Sequence, residues 1–463
     1  MSQHPPHSCS LARLGITAET LRAYDQRIPR YTSYPTAPVW TEEVRGREWA
    51  RHLDQTSPRS GPLSLYVHIP FCRKRCLFCA CNVIVTRREG MAERYLDDLE
   101  REVALVRQAH RGAEEVVQLH LGGGTPNYLN SAEMKRLLDL LRAHFRFTPD
   151  AEQSIEVDPR IATREEVFRL RQVDGFNRIS YGVQDFSDET QAAIGREQGR
   201  EASFSNITAA RDAGFESVNI DLIYGLPRQN NESWRDTLDC VLEARPDRIA
   251  LYNFAYLPGR LPNHRRLEEA EMPSPALKLE MFMEAHDRLT AAGWRFLGMD
   301  HYAREEDSLT QAFEQGTMRR NFMGYTTLRG TDLLGFGVSS IGNFQDAFGQ
   351  NTKKLNVYRA ALGEGVLPVE RGMVLSAEDV LRRDCIESLM CQGRLDLRDE
   401  RVAGIVREAL PPLGELEADG LLTLSDEELR VTLKGQMFLR NIAVLFDSYM
   451  QRTTNKVTFS RAV

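Results

Sequence analysis

The sequence predicts an α/β fold: a partial (β/α)6 barrel with an N-terminal arm and a mainly helical C-terminal domain. Three observations predict it. From Leu63 onward, short β-prone runs alternate with long amphipathic segments, at 63–69, 116–121, 153–157, 178–183, 218–223 and 249–254. The segments between carry helical periodicity; in 91–106, Tyr95, Leu99, Val103 and Val106 recur at steps of three or four. Strand, helix, strand repeated six times implies parallel strands with right-handed crossovers, which curl into a barrel. The third observation is scale: 463 residues, 42% of them hydrophobic, suffice for two to four domains without disulfide staples.

The segments divide as follows. Residues 1–56 are rich in Pro, Arg, Ser and Tyr, with one helical stretch near 43–53, and read as an arm over the active site. Residues 57–300 form the barrel core, with 294–299 as a candidate seventh strand. Residues 301–375 are expected to extend the barrel and line the site, with 301–350, rich in Gly, Asn, Tyr and Thr, read as ordered loops. Residues 376–463 form a helical, winged-helix-like domain, in which LEADGLLTLSDEELRVTLKG reads as helix, hairpin, then helix from near Thr432. Acidic residues crowd that hairpin, so a structural cap is expected there rather than a phosphate reader.

Composition excludes several classes. The chain has 59 Lys and Arg against 66 Asp and Glu, a net charge of -7, which argues against a generic nucleic-acid binder. No apolar run reaches membrane-spanning length, and the first nine residues, MSQHPPHSC, lack the pattern of a signal peptide. A cytoplasmic location with reduced thiols is therefore expected. Of the eight cysteines (Cys9, Cys72, Cys76, Cys79, Cys81, Cys240, Cys385 and Cys391), four fall within ten residues, which points to metal binding rather than a disulfide framework.

The centre of that group is Cys72-x3-Cys76-x2-Cys79, directly after the first strand. Structural zinc wants four closed ligands, usually as two spaced pairs, and no second pair follows; Cys81 as a fourth ligand keeps zinc open as an alternative. A [4Fe–4S] cluster normally takes four thiolates, so three would leave one iron free to bind a small molecule. The spacing after a first barrel strand resembles that of the radical S-adenosylmethionine (SAM) enzymes. The resemblance implies a TIM-like partial barrel, a cluster on Cys72, Cys76 and Cys79, and SAM chelated at the open iron and cleaved by one electron to a 5′-deoxyadenosyl radical. Gly122-Gly123-Gly124-Thr125-Pro126, one βα unit later, matches the loop that seats the methionine end of SAM; glycines let backbone approach a ligand closely. Phe78 matches the aromatic position beside adenine.

Further pieces narrow the resemblance. PRYTSYPTA, YVHIPFC with a fourth cysteine at Cys81, LGGGTP, IEVDPR, GVQDF, NIDLIYGLP, GMDH, RNF-x-GYTT and LLGFGVSSI occur in order over nearly the whole chain. Together they resemble the oxygen-independent coproporphyrinogen III oxidase family. That implies oxidative decarboxylation of the ring A and B propionates of coproporphyrinogen III to vinyl groups, giving protoporphyrinogen IX in haem biosynthesis, with two SAM consumed per turnover. By the same resemblance, Tyr66, Gly123, Glu156 and Ile341 match contacts to the SAM on the cluster. Phe78, Gly124, Thr125, Gln184, Arg196, Asp221 and Ala255 match contacts to a second SAM. Cys81 matches a catalytic cysteine outside the cluster. His68 is a candidate proton donor or a partner near the cluster. Tyr181, where the family's pattern has Met, is expected to make one wall of the site more polar.

Substrate carboxylates need cations, and Arg30 and Arg320 sit in Tyr-, Asn- and Phe-rich segments; both are nominated. The expected partners are coproporphyrinogen III and a one-electron reductant such as flavodoxin or ferredoxin, with no nucleic acid or membrane, on a monomer. Three rivals remain at this point: a SAM-binding haem chaperone, a haem-modifying radical SAM methyltransferase, and a zinc scaffold. The long PRYTSYPT arm and Cys81 favour the oxidase over the chaperone.

Overall fold

The computed structural model describes residues 10–452, so Cys9 lies outside the described residues. Twelve strands form the main sheet, here numbered in chain order. β1 (Leu63–Ile69), β2 (Glu115–Gly123), β3 (Arg146–Val157), β4 (Arg178–Gln184), β5 (Ser217–Tyr224) and β6 (Arg248–Asn253) make its centre. β7 (Trp294–Gly298) and β8 (His301–Arg304) follow, then β9 (Asp332–Phe336), β10 (Ile341–Phe344), β11 (Ala347–Asn351) and β12 (Val369–Val374). Their spatial order is β12-β11-β10-β9-β1-β2-β3-β4-β5-β6-β8-β7.

β1 to β6 pair in sequence order and all run parallel. Helices connect them, including Met91–Ala109, Ser131–His144, Arg164–Gln172, Arg200–Ala213 and Asn231–Ala244. Burial on both faces explains why the core strands read as apolar runs: in β1 every residue except Tyr66 is buried. The sheet has two free ends, so the barrel is partial. β9 adds a parallel strand beside β1, while β8 runs antiparallel to β6 and β7 antiparallel to β8. The run at 294–299 is thus an edge strand, and the seventh parallel strand comes from β9.

Segment 301–375 holds more strand than its composition suggests. β10, β11 and β12 form an antiparallel meander beyond β9. Its glycines weaken β propensity but have a packing reason. Trp49, on the arm helix Gly46–Thr56, lies across β10 and β11; a Cβ at Gly349 or Gly342 would fall 2.8 or 2.9 Å from its ring.

The C-terminal region carries helices Ala377–Gln392, Glu400–Glu408 and Leu410–Ala418 and a small sheet of Arg394–Asp396, Glu428–Val431 and Leu422–Leu424. The helix expected near Thr432 begins instead at Leu439, after a 3-10 turn at Gly435–Phe438. Gly435 is wedged against the next layer: a Cβ there would meet the Leu421 carbonyl oxygen at 1.8 Å.

The arm is tied to the far end of the chain. Arg440 donates to the carbonyls of Pro29, at 2.9 Å, and Ile28; Tyr31 Oη donates to Asp447 at 3.0 Å; and Tyr34 Oη meets Ser448 Oγ at 3.1 Å. Among the described residues no helix is long and apolar enough to cross a membrane.

Candidate active site

The cysteine loop leaves the C-terminal end of β1, the end at which barrel sites gather. A distant segment fixes its shape. Asn263 Nδ2 donates to the carbonyls of Leu77 (2.8 Å) and Cys79 (3.0 Å), and His264 Nε2 donates to that of Phe78 at 2.9 Å. His264 Nδ1 accepts from Leu257 N–H, which settles the tautomer. Held this way, the loop presents three sulfurs to different neighbours. Cys72 Sγ lies 3.3 Å from Thr125 Oγ1. Cys76 Sγ accepts from Arg196 Nη1 at 3.4 Å and from Arg160 Nη2 at 3.7 Å, and Asp158 clamps both guanidiniums. Cys79 shares a hydrogen bond with Cys81, which with Arg75 and Arg196 makes Cys79 the more acidic of the two; burial pushes the Cys72 thiol up to about 11.

This donor set fits an iron–sulfur cluster. Soft thiolates are the ligands such a cluster takes, and N–H and O–H donors aimed at the sulfurs suit thiolates that carry charge. Among the described residues no three His, Cys, Asp or Glu side chains converge on a point where one ion would sit.

The glycine loop at the end of β2 packs directly on this loop. Gly124 N–H donates to Ile69 O at 2.8 Å, and a Cβ at Gly124 would meet Pro70 at 2.7 Å. Gly123 has φ +117°, and a Cβ there would fall 2.6 Å from the His68 ring. Its N–H donates to Glu156 Oε2 at 3.1 Å, at the end of β3. Burial pushes Glu156 up, but the His120 hydrogen bond at 3.3 Å and the Gly123 N–H outweigh it, so its pKa is net lowered and it stays ionised. Tyr66 stacks on His120 with ring centroids 5.9 Å apart.

His68 has both ring nitrogens engaged. Nε2 faces the Asn82 carbonyl at 3.0 Å and therefore carries the proton; Nδ1 accepts from Tyr66 Oη at 3.0 Å. Burial lowers its pKa, so the ring is neutral. This geometry gives it a holding role on the segment after Cys81.

Of the residues matched to a second SAM, Gln184 ends β4 at φ +69° and Asp221 lies in β5. Burial and the neighbouring Glu156 raise Asp221 to about 7, and Asn219 Nδ2 donates to it at 3.0 Å; no ion pair within 4 Å ties it down among the described residues. Arg196 is buried rather than solvated, with two donors on Gly182 O. Phe78 packs beside Ile194, Ile223, Leu226, Phe254 and Leu267. Ala255 is exposed just after β6, and Ile341 opens β10.

Tyr181 corrects an expectation. Its hydroxyl donates to Asn206 O on the helix Arg200–Ala213, so it faces the outer layer and not the site. Strand parity explains this: Gly182 and Gln184 take the inward positions, and Tyr181 the outward one. Tyr181→Phe is accordingly expected to cost about 1 kcal/mol of stability and to leave KM values unchanged. A shifted KM for substrate or SAM would put Tyr181 back in the wall.

A cluster of cations lies beside Tyr252 on β6 and His301 on β8. Arg30 pairs with Asp300, its guanidinium 5.5 Å from the Tyr252 ring centroid. Arg320 lies 4.7 Å over Tyr325, whose ring meets His301 edge-on at 5.1 Å. Arg320 Nε and Nη1 and His301 Nδ1 are buried without a hydrogen-bond partner among the described residues. Burial, with Arg30 beside it, lowers Arg440 to about 9; burial, Arg320 and Arg30 push His301 well below its ordinary value. Concentrated positive charge and idle donors call for an anion. Arg320 also lines a cavity of about 520 Å³ between the arm, β9 to β11 and the helix Ala377–Gln392.

Sequence reasoning did not single out His120, Asp158, Arg160, Asn263, His264, Tyr252 or His301 as individual site residues. His120 stands two residues before the glycines, Asp158 and Arg160 lie in IEVDPR, and His301 ends GMDH. Those motifs held the signal for them. Asn263 and His264 had none, because they act across more than 180 residues of chain.

Comparison with known proteins gives a consistent result. A family model described as the Radical SAM superfamily matches residues 66–241, and one described as the HemN C-terminal domain matches residues 375–438. The oxygen-independent coproporphyrinogen III oxidase of Escherichia coli strain K12 is 44% identical over 449 residues, 96% of this chain and 97% of that one. The Synechocystis protein of the same name is 41% identical over 458 residues, 97% of this chain and 98% of that one. The solved structure of the Escherichia coli coproporphyrinogen III oxidase, described as a radical SAM enzyme, superimposes with a TM-score of 0.87 at 44% identity, over 92% of this chain and 100% of that chain.

Proposed function

The chain belongs to the oxygen-independent coproporphyrinogen III oxidases of the radical SAM superfamily, and from that membership we propose how its own residues carry the reaction. The conversion is of coproporphyrinogen III to protoporphyrinogen IX. Each of two propionates loses a hydrogen atom, CO2 and one electron and becomes a vinyl group, so two SAM are consumed. A [4Fe–4S] cluster held by Cys72, Cys76 and Cys79, with SAM, supplies when bound a carbon radical able to take that hydrogen.

The chain's residues position and shield. Gly123, lacking a side chain, lets the backbone come close to the SAM on the cluster, Gly124 does the same for a second SAM, and Glu156 offers an ionised acceptor to the first. Tyr66 and Ile341 flank that SAM. Phe78, Thr125, Gln184, Arg196, Asp221 and Ala255 serve a second one. Cys81 acts in catalysis outside the ligand set, and His68 holds the loop that carries it. Arg30 and Arg320 take substrate carboxylates. The reductant is a one-electron carrier of the flavodoxin or ferredoxin type, and the protein works in the cytoplasm as a monomer. Residues 1–56 act as the arm, 57–300 as the barrel core, 301–375 as its extension and 376–463 as the C-terminal domain.

The observation that carries the substrate reading is the pair of idle, buried N–H groups on Arg320, beside Arg30 and Arg440. A tetrapyrrole with four carboxylates satisfies them; a neutral substrate does not. Arg320→Ala is therefore expected to raise the KM for coproporphyrinogen about 10- to 100-fold while uncoupled SAM cleavage stays within about twofold. Steady-state anaerobic assays of both activities check this, and an unchanged KM removes Arg320 from the substrate site.

A further inference from the structure

The face around the cysteine loop carries charge opposite to that of the chain as a whole. Arg73 and Lys74 are exposed between Cys72 and Cys76, and Arg87 and Arg88 are exposed just after the short strand Ile84–Val85. Backbone pairing brings the two segments together: Phe71 pairs with Ile84 and Cys72 with Val85, and Thr86 N–H donates to Cys72 O at 3.0 Å. At the centre of this face stands Val85, which is 49% exposed.

Two things set the patch apart. The chain carries a net charge of -7, so a cluster of four cations runs against its background. Some arginines elsewhere on the surface find carboxylates, as Arg136 does with Asp97 and Glu100, and others among the described residues, such as Arg47, Arg51 and Arg266, do not; what marks this face is that its cations stand together around an exposed apolar residue. Among the described residues Arg73, Arg87 and Arg88 make no ion pair within 4 Å, and only Lys74 meets a carboxylate, Glu197 at 3.4 Å. The other acids nearby are Glu89, adjacent in the chain, and Glu166, which feels the charge of Arg73. An apolar centre with a one-sign rim is the build of a steered, short-lived protein contact.

We propose that this face, with Val85 at its centre and Arg73, Lys74, Arg87 and Arg88 around it, docks a small acidic one-electron carrier protein that reduces the cluster. The inference rests on the proposed function, since it presupposes a cluster on Cys72, Cys76 and Cys79. The step balances simply: the carrier loses one electron and the cluster gains it, with no proton or group transferred. The contact leads inward through Val85 and the Thr86–Cys72 hydrogen bond to a ligand sulfur. The opposite sign of the carrier's surface gives orientation and a fast on-rate at low salt.

The test uses the full chain reconstituted with cluster, mixed anaerobically with a fully reduced flavodoxin, and reads cluster reduction by stopped-flow absorbance and electron paramagnetic resonance. The rate is expected to fall steeply with ionic strength. Arg87→Glu/Arg88→Glu, whose side chains stand outside the cysteine loop, should slow reduction by flavodoxin at least about tenfold and leave reduction by dithionite unchanged. Val85→Ser should weaken the same reaction without altering its salt dependence. Three outcomes overturn the proposal: a wild-type rate in the double variant, a rate indifferent to salt, or no reduction by flavodoxin where dithionite succeeds. A chain that dithionite reduces but that never cleaves SAM would instead overturn the functional reading and leave the docking result standing.

Discussion

Cys76→Ala is expected to abolish protoporphyrinogen IX, 5′-deoxyadenosine and methionine together, with each product at least about a thousandfold below wild type. The reason is more than the loss of one ligand of three. Cys76 is the sulfur on which Arg160 and Arg196 converge. Removing it takes away the sulfur acceptor that both guanidiniums share, although Asp158 still pairs with each, so the cluster ligand and the hydrogen bonds that fix the loop are lost together. The check is anaerobic reconstitution with iron and sulfide, with reductant, SAM and coproporphyrinogen III added, followed by iron and sulfide content and product analysis. Cys240→Ala, on the outer helix Asn231–Ala244, is the control and should keep all three products. A Cys76→Ala protein that still cleaves SAM would contradict the cluster assignment.

The second large effect is expected at Gly123. At φ +117° an L side chain is strained by about 1–3 kcal/mol, and its Cβ would overlap the His68 ring. Relief requires moving His68, which carries the Asn82 carbonyl and the Tyr66 hydroxyl. Gly123→Ala should therefore weaken SAM binding at least about tenfold and lower Tm by several degrees. Gly90→Ala separates the causes. Gly90 also has positive φ, but a Cβ there would meet nothing within 4 Å. It should lose stability alone. Equal SAM affinities for wild type and Gly123→Ala, measured by equilibrium binding to the reconstituted protein, would remove the glycine loop from the SAM site.

The sequence and the structure agree where a local pattern has a local cause. β1 to β6 were legible because strands covered on both faces must be apolar, and that shows in any window. The start of β3 was not: its first half, from Arg146, is largely exposed and carries no apolar run. β10 and β11 were hidden by glycines that make room for Trp49, a residue nearly 300 positions away. In the site, the three cysteines and the glycine loop were legible as spacings. Tyr181 was misplaced because a motif read in one dimension does not show which side of the strand each residue takes. Asn263 and His264, which fix the cysteine loop, look like ordinary loop residues until the chain is folded. The cationic cluster was half visible, as Arg30 and Arg320; Arg440 joins it, and the neutral His301 packs against it, only in three dimensions.

The clasp between residues 28–34 and 440–448 has a consequence for biosynthesis. The segment bearing Arg30 is made more than 400 residues before the side chains that hold it, Arg440, Asp447 and Ser448. Until those residues are made, the Arg30 segment lacks the hydrogen bonds that hold it in place. The clasp can therefore form only once the C-terminal domain has been synthesised and has met the arm.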